Sequence, residues 1–230
     1  MNADGSGAMF DRIAHRYDRL NRIISVGLDQ GWRRRLVESL AVEDGEVLDL
    51  ATGTADVAIA IAERYRKVRV IGVDPSNEML AVGETKTAAK ELHERVILEQ
   101  GDAQDLQYAD DHFAASCISF GIRNVPDRQK GLAEMVRVTR PGGVVAVLEL
   151  NEPQRGFLAP FARLHVRHIV PRLGAWLSGE KEYRYLQESI AAFPEPDVFV
   201  GMMADAGLDV EKPQTLGLGA AHLFVGRVQA

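Results

Sequence analysis

The chain holds a single cysteine, Cys117, so it cannot close a disulfide within itself, which is compatible with a reducing compartment. Basic residues are outnumbered, 27 Lys and Arg against 33 Asp and Glu, for a net charge of −6. A general nucleic-acid binder needs the opposite excess to displace phosphate counterions, so no nucleic-acid partner is expected. No segment approaches the roughly 18 consecutive apolar residues of a membrane span. Met1 to Ala8 has neither a basic start nor an apolar run. It is read as a disordered N-terminus (1–8) rather than a signal peptide, and a cytoplasmic protein is expected. Fixed-period repeats, low-complexity tracts and any Cys/His/carboxylate spacing of a metal site are also missing, so no metal is expected. What is there, 230 residues with 46% hydrophobic and 26% charged, suits one globular domain over 9–230.

Apolar residues Phe10, Ile13, Tyr17, Leu20, Ile23 and Ile24 recur at three and four, the spacing of a helix with one buried stripe. A second helix follows through Trp32, Leu36 and Leu40, with Asp29 as its cap and Arg33, Arg34 and Arg35 around its exposed side. Together these make N-terminal helices over 9–40. Strand and helix then alternate: strand 46–51, helix 57–65, strand 68–74, helix 76–90 capped by Ser76, strand 95–100, strand 113–120 and helix 127–138. A Pro141-Gly-Gly143 turn launches the near-continuous hydrophobic strand 144–150. Such runs fit a parallel sheet covered on both faces, an α/β architecture. An insertion of about 151–206 precedes a final hairpin, 208–212 and 221–228, which forms an antiparallel edge that could pair between chains in a homodimer.

The segment Leu48-Asp-Leu-Ala-Thr-Gly-Thr-Ala-Asp56 ends a strand in a small-residue turn and opens a helix, so main-chain N–H groups can face a ligand. Asp74 lies 21 residues past Gly53 at the end of the next strand, where a carboxylate can accept two ribose hydroxyls. The dinucleotide glycine trio is incomplete, because Ala55 stands at the second position and a third is missing. A pyrophosphate would be poorly held, so a phosphate-free adenosyl group such as S-adenosylmethionine fits better than NAD. The alternative is a tight turn and helix cap with no ligand. Gly101-Asp102-Ala103 and Ser119 end two further strands at the same edge of the sheet, the expected ligand crevice. Asp102 suits either an adenine contact or a loop cap.

At this point the chain resembles the class I methyltransferases that methylate the quinone ring in ubiquinone and menaquinone biosynthesis. The resemblance is carried by Met9-Phe-Asp-Arg-Ile-Ala-His-Arg-Tyr-Asp18 with Asn21 and Ser25-Val-Gly27, by Ser119-Phe-Gly-Ile-Arg-Asn124, and by Glu134-Met135 with Arg137-Val138. Arg140-Pro-Gly-Gly143, Leu148-Glu149 and Tyr183-Arg-Tyr-Leu-Gln-Glu-Ser-Ile190 complete it. It implies a Rossmann-like, mostly parallel seven-stranded sheet with an antiparallel edge strand. It further implies S-adenosylmethionine as cofactor, S-adenosylhomocysteine as product, and cofactor contacts from Gly53, Thr54, Asp74, Asp102, Ala103 and Ser119. The family usually has Gly-Thr-Gly-Asp where this chain has Gly53-Thr-Ala-Asp56, so Ala55 is expected at negative φ. Leu106-Gln-Tyr108 and Ala114 are further departures, near the adenine pocket.

Methyl transfer to carbon needs an electron-rich ring carbon in line with the methyl, roughly 3–3.5 Å away, and ionising a hydroquinone hydroxyl supplies the electrons. Arg123 is read as stabilising the developing phenolate and Asn124 as orienting the hydroxyl. The alternative for Arg123 is an ion pair that braces the loop, since guanidinium is no base. Tyr17 either covers the cofactor and faces the substrate or is plain core. His222 is the most suggestive of six histidines. Between 155 and 179 lie four arginines and no Asp or Glu, a charge of +4 that leaves −10 for the rest. This stretch is read either as a contact for anionic membrane, giving peripheral attachment suited to a prenylated quinol lipid, or as a lid packed on the sheet.

Overall fold

In the computed structural model, the described residues are 11, 14–19, 21, 22, 25, 27–151 and 180–229, with side chains of 180–183 left out. Phe10, Ile13, Leu20, Ile23, Ile24 and the basic stretch 155–179 lie outside them. Residues 14–19 are helical. Then come α1 (Asp29–Ser39), β1 (Gly45–Leu50), α2 (Asp56–Arg64), β2 (Val68–Asp74), α3 (Asn77–Ala89), β3 (Val96–Gln100) and β4 (Phe113–Ser119). A 3-10 turn (Ile122–Asn124) leads to α4 (Arg128–Val138), β5 (Thr139–Leu150), α5 (Glu180–Ala191), α6 (Pro196–Asp205), β6 (Leu208–Val210), β7 (Gln214–Leu216) and β8 (Ala221–Val228).

The strands form one sheet in the order β3-β2-β1-β4-β5-β8-β6, with β7 also on β8. β1 to β5 are parallel and β8 runs antiparallel to β5, as expected from their unbroken apolar runs. The chain order reverses between β1 and β4, which opens the crevice used by ligands in such sheets. Alternate residues of each strand feed two cores. Val47, Val70, Cys117, Ala146 and Leu223 pack with α1 and α2, while Leu48, Val73, Ile118, Val147 and Phe224 pack with α4 and α6. Burying side chains such as Leu36, Leu132 and Phe199 completely stabilises the fold by roughly 1.5–3 kcal/mol each.

Four sequence expectations are corrected. The sheet has eight strands rather than seven; the final hairpin does form its antiparallel edge, with β6 and then β7 pairing along the outer side of β8. That outer row is broken at Pro213, which has no N–H to give. Its short pieces offer little to a second chain. Pro141-Gly-Gly143 is a bulge inside β5 rather than a turn before it, since Phe113 pairs with Thr139 but Ala115 with Val144. Asp29 does not cap α1; Leu28 holds that position without a side-chain bond, and the buried Asp29 carboxylate accepts from Ser25 Oγ at 2.7 Å. Arg33 is not on the solvent side either, because its guanidinium reaches Asp56 at 3.2 Å and lies over the Phe120 ring. The expected cap Ser76 does accept from Met79 N, and Asp127, just before α4, accepts from Lys130 N in the same way.

Candidate active site

The turn after β1 is the pivot of the crevice. Gly53 has φ 55°, in the left-handed region, and donates its N–H to Asp74 Oδ2 at 2.9 Å. Asp74 Oδ1 accepts from Ser76 N at 2.9 Å, so one carboxylate ties the first turn to the start of α3. Burial raises the Asp74 pKa and the nearby Asp11 carboxylate adds to that, while the amides of Ser76 and Gly53 oppose both. Each oxygen keeps a further lone pair for a ligand.

Ala55 overturns the expectation of negative φ. It sits at φ 64°, ψ 21°, fully buried, at the position before α2. The turn needs a left-handed residue to swing the helix off the strand, and a methyl there costs about 1–2 kcal/mol. Ala55→Gly removes that strain but also a buried methyl, so it should be nearly neutral. Ala58→Gly, equally buried inside α2, should cost about 1.5–2 kcal/mol. Urea unfolding of the two variants checks the contrast; equal losses would mean the Ala55 backbone is not strained.

Gly53, Asp74, Asp102 and Ala103 line a cleft of about 460 Å³ together with Tyr17, which enters from helix 14–19, and Asn124. Leu50, Val73, Met79, Phe120 and Val125 supply apolar wall. Thr54 and Ser119 instead line a small adjoining hollow with Arg33, Asp49 and Thr52. Ser119 Oγ is buried there with no hydrogen-bond partner among the described residues, an unfilled polar demand beside the cleft. Thr54 Oγ1 is already engaged, donating to Asp18 Oδ1 at 2.6 Å and taking a hydrogen from Lys86 Nζ at 3.2 Å. Lys86 also pairs with Asp18 and Asp56, which clamps helix 14–19 to the turn. Asp102 is exposed, and its Oδ1 accepts from Gln104 N at 2.9 Å, the capping arrangement; Oδ2 faces out beside Gln104 Nε2.

Arg123 does not line the cleft. Its guanidinium is buried and donates from Nη1 to Glu149 Oε1 and to the Phe120 carbonyl, both at 2.6 Å. Its own N–H donates to Glu149 Oε2 at 3.2 Å. This is the loop-bracing geometry. Burial disfavours the charge, but Glu149 more than offsets it, so the group stays cationic. His222 pairs across the sheet with Glu149, and burial lowers its pKa, which keeps the imidazole neutral near pH 7.

Several residues reach the site through contacts that no local sequence pattern announces. Gln100 and Gln104 line the cleft. Tyr185 donates its hydroxyl to Asn124 Oδ1 at 3.0 Å across 61 residues of chain. Asp49, fully buried in β1, accepts from Thr52 Oγ1 at 2.7 Å and from Cys117 Sγ at 3.6 Å. Burial pushes its pKa up to about 6 against those bonds and Arg33. The group therefore favours the folded state most below the ordinary carboxylate range, and that contribution is lost as pH rises through about 6.

The cleft at the switch point is thus lined by a glycine turn bonded to an acidic residue at the next strand end and by Asn124 of the turn after β4. The model of the ubiE/COQ5 methyltransferase family matches residues 2–227. The chain belongs to this family. Among its relatives are a demethylmenaquinone methyltransferase of Deinococcus radiodurans, 44% identical over 95% of this chain and 90% of that protein, and one of Thermus thermophilus, 42% identical over 95% and 99%. The ubiquinone/menaquinone biosynthesis C-methyltransferase UbiE of Geotalea daltonii is 40% identical over 95% and 94%. Solved structures of similar fold include the [4+2]-cyclase SpnF, TM-score 0.70 at 15% identity, covering 97% of this chain and 95% of that one. The Haemonchus contortus phosphoethanolamine N-methyltransferase 2 in complex with S-adenosyl-L-methionine has TM-score 0.64 at 15% identity, over 86% and 52%. Since a cyclase shares it, the fold alone does not name a reaction. The family does. No helix among the described residues is long and apolar enough to cross a membrane, and none of their His, Cys, Asp and Glu side chains form a group that could hold a metal ion.

Proposed function

We propose that the protein transfers the methyl group of S-adenosylmethionine to a ring carbon of a polyprenylated hydroquinone in menaquinone or ubiquinone biosynthesis. The observation that carries this reading is the Gly53–Asp74 bond in the lining of the cleft, which Tyr17 and Asn124 also line. Asp74 would hold the ribose, Asp102 and Ala103 the adenine edge, and Gly53, the Thr54 main chain and Ser119 the amino-acid end. The orphaned Ser119 hydroxyl beside the cleft suits a charged amino or carboxyl group.

When bound, the cofactor would supply an electrophilic methyl on its sulfonium, the C–S pair remaining on sulfur as a ring carbon takes the methyl and afterwards gives up its proton to solvent. The residues present and exclude. Tyr17 and Phe120 close the apolar side and keep water from the transfer. Asn124 contacts the ring oxygen, and Arg123, held behind it by Glu149, fixes the turn that carries Asn124. A prenyl tail agrees with the arginine-rich, acid-free stretch 155–179, read as the segment that meets an anionic membrane surface.

The test is direct. Purified protein given methyl-labelled S-adenosylmethionine and short-chain demethylated benzoquinol or naphthoquinol, under reducing conditions, should put label on ring carbon of one of them. The preferred ring names the pathway. Cofactor bound but neither ring labelled would leave a fold-sharing scaffold or a methyltransferase for another small aromatic acceptor.

A further inference from the structure

Asn124 can meet a ligand in two ways, because its side chain ends in an acceptor on one side and donors on the other. Which end faces the cleft decides which protonation state of a ring hydroxyl it prefers. The structure holds one end. Tyr185, on α5, donates to Asn124 Oδ1 at 3.0 Å. In this pair the phenol is the donor, with its proton on Asn124 Oδ1. The positive fields of Arg123 and Arg128 act on the same phenol, and a hydroxyl near cations is best placed with its proton directed away from them. Burial raises the Tyr185 pKa more than the two cations lower it, so the hydroxyl stays a donor throughout the working range. With Oδ1 taken, Nδ2 is left for the cleft that Asn124 lines, and no described residue accepts from it.

We propose that Tyr185 is a positioning residue that locks the Asn124 amide with its N–H groups toward the cleft, so that the site binds the acceptor's ring oxygen as an oxyanion rather than as a hydroxyl. The inference rests on the quinol-methylating reading above. An N–H donor stabilises phenolate, and phenolate is the form whose ring carbon carries the electrons for methyl transfer. A carbonyl facing the same way would accept from the neutral hydroxyl and hold it protonated. Among the described residues, the other titratable or charged groups around this turn include Arg123 and Arg128 on the same stretch of chain, Glu149 on β5, Tyr17 in the cleft lining and His222 on β8. Of these, Glu149 already neutralises Arg123. The orientation of one amide is thus a main lever on the acceptor's ionisation. It also ties that ionisation to α5, a helix within the long insertion, so the correct amide face is presented only when this helix is docked.

The experiment uses the full chain loaded with S-adenosylhomocysteine and a nitro-substituted hydroquinone whose phenolate absorbs visible light. Wild-type protein should lower the probe's pKa by about one unit relative to free solution. Tyr185→Phe frees the amide to turn, and the bound pKa should return to or above the solution value. In turnover, kcat at neutral pH should fall about tenfold and recover at alkaline pH, while cofactor Kd stays within twofold. Asn124→Asp, which keeps Tyr185 but places acceptors on both sides, should raise the bound pKa further, so the proposal is tested even if Tyr185→Phe folds poorly. An active wild type whose bound pKa and kcat–pH limb are unmoved by either variant would overturn the proposal alone. A wild type that binds cofactor yet neither binds the probe nor methylates any quinol would overturn it together with the acceptor reading.

Discussion

Asp74→Ala should lower affinity for S-adenosylmethionine and S-adenosylhomocysteine by 100-fold or more in calorimetry, the largest loss expected from any single change in the cleft. Two effects add. The carboxylate that would take the ribose hydroxyls is gone, and charge-assisted hydrogen bonds contribute roughly 1.5–3 kcal/mol each. The Gly53 and Ser76 amides also lose their shared acceptor, so the turn that approaches the ligand is no longer held to the end of β2. Asp74→Asn separates the two. It keeps the shape and one acceptor oxygen but sets an NH₂ against one of those amide donors, and a loss of about tenfold is expected. The order Ala worse than Asn is the informative part. Binding by Asp74→Ala within threefold of wild type, with an unchanged melting curve, would show that the ligand is not held at this strand end.

Much of this site was legible in the sequence because its parts are local. A strand end, a small-residue turn, a helix start and an acidic residue at the next strand end occupy 48–74, and each has its own chemical signature. The alternation of strand and helix through β5 was legible for the same reason: strands covered on both faces must be apolar without a break. The failures are of two kinds. Where a local signal has two physical solutions, tertiary context chose. Pro141-Gly-Gly143 suits a turn or a bulge, and pairing of Ala115 with Val144 made it a bulge. Ala55 was given the φ that alanine prefers, but the exit from β1 to α2 imposes the left-handed one.

The second kind concerns contacts between distant segments, which leave no periodic trace. Thr54 was read as a cofactor contact on the turn, but no local pattern announces that its hydroxyl bonds Asp18, 36 residues earlier, and Lys86. Arg33 looked solvated because it sits in a run of three arginines, yet Asp56 draws it in. Tyr185 belongs to one of the most specific family blocks in the chain, but its position beside Asn124 depends on how the long insertion returns to the sheet. Such residues are found only once the fold brings the segments together.

Glu149→Ala should be the most destabilising substitution at the site, by about 3–5 kcal/mol, or a fall of roughly 6–20 °C in Tm for a chain of this size. Glu149 is fully buried at the end of β5 and accepts from Arg123 Nη1, Arg123 N and Leu150 N. Its removal strands a guanidinium where water cannot reach, with Nε already lacking a partner among the described residues. Arg123→Met should cost less, because the carboxylate it leaves keeps two backbone donors. The double variant Arg123→Met with Glu149→Leu buries neither charge and should recover most of the lost stability, which differential scanning calorimetry would read. Methyl-transfer assays on the same three proteins then divide bracing from electrostatics. If Arg123 acts only by fixing the turn beneath Asn124, the refolded double variant regains turnover in step with its stability. If the cation itself supports the developing phenolate, turnover stays 100-fold or more below wild type however stable the protein becomes, a loss in the range of one removed transition-state donor. A Glu149→Ala protein within 1 kcal/mol of wild type would mean that Arg123 reaches solvent and that the pair is not the anchor of the turn.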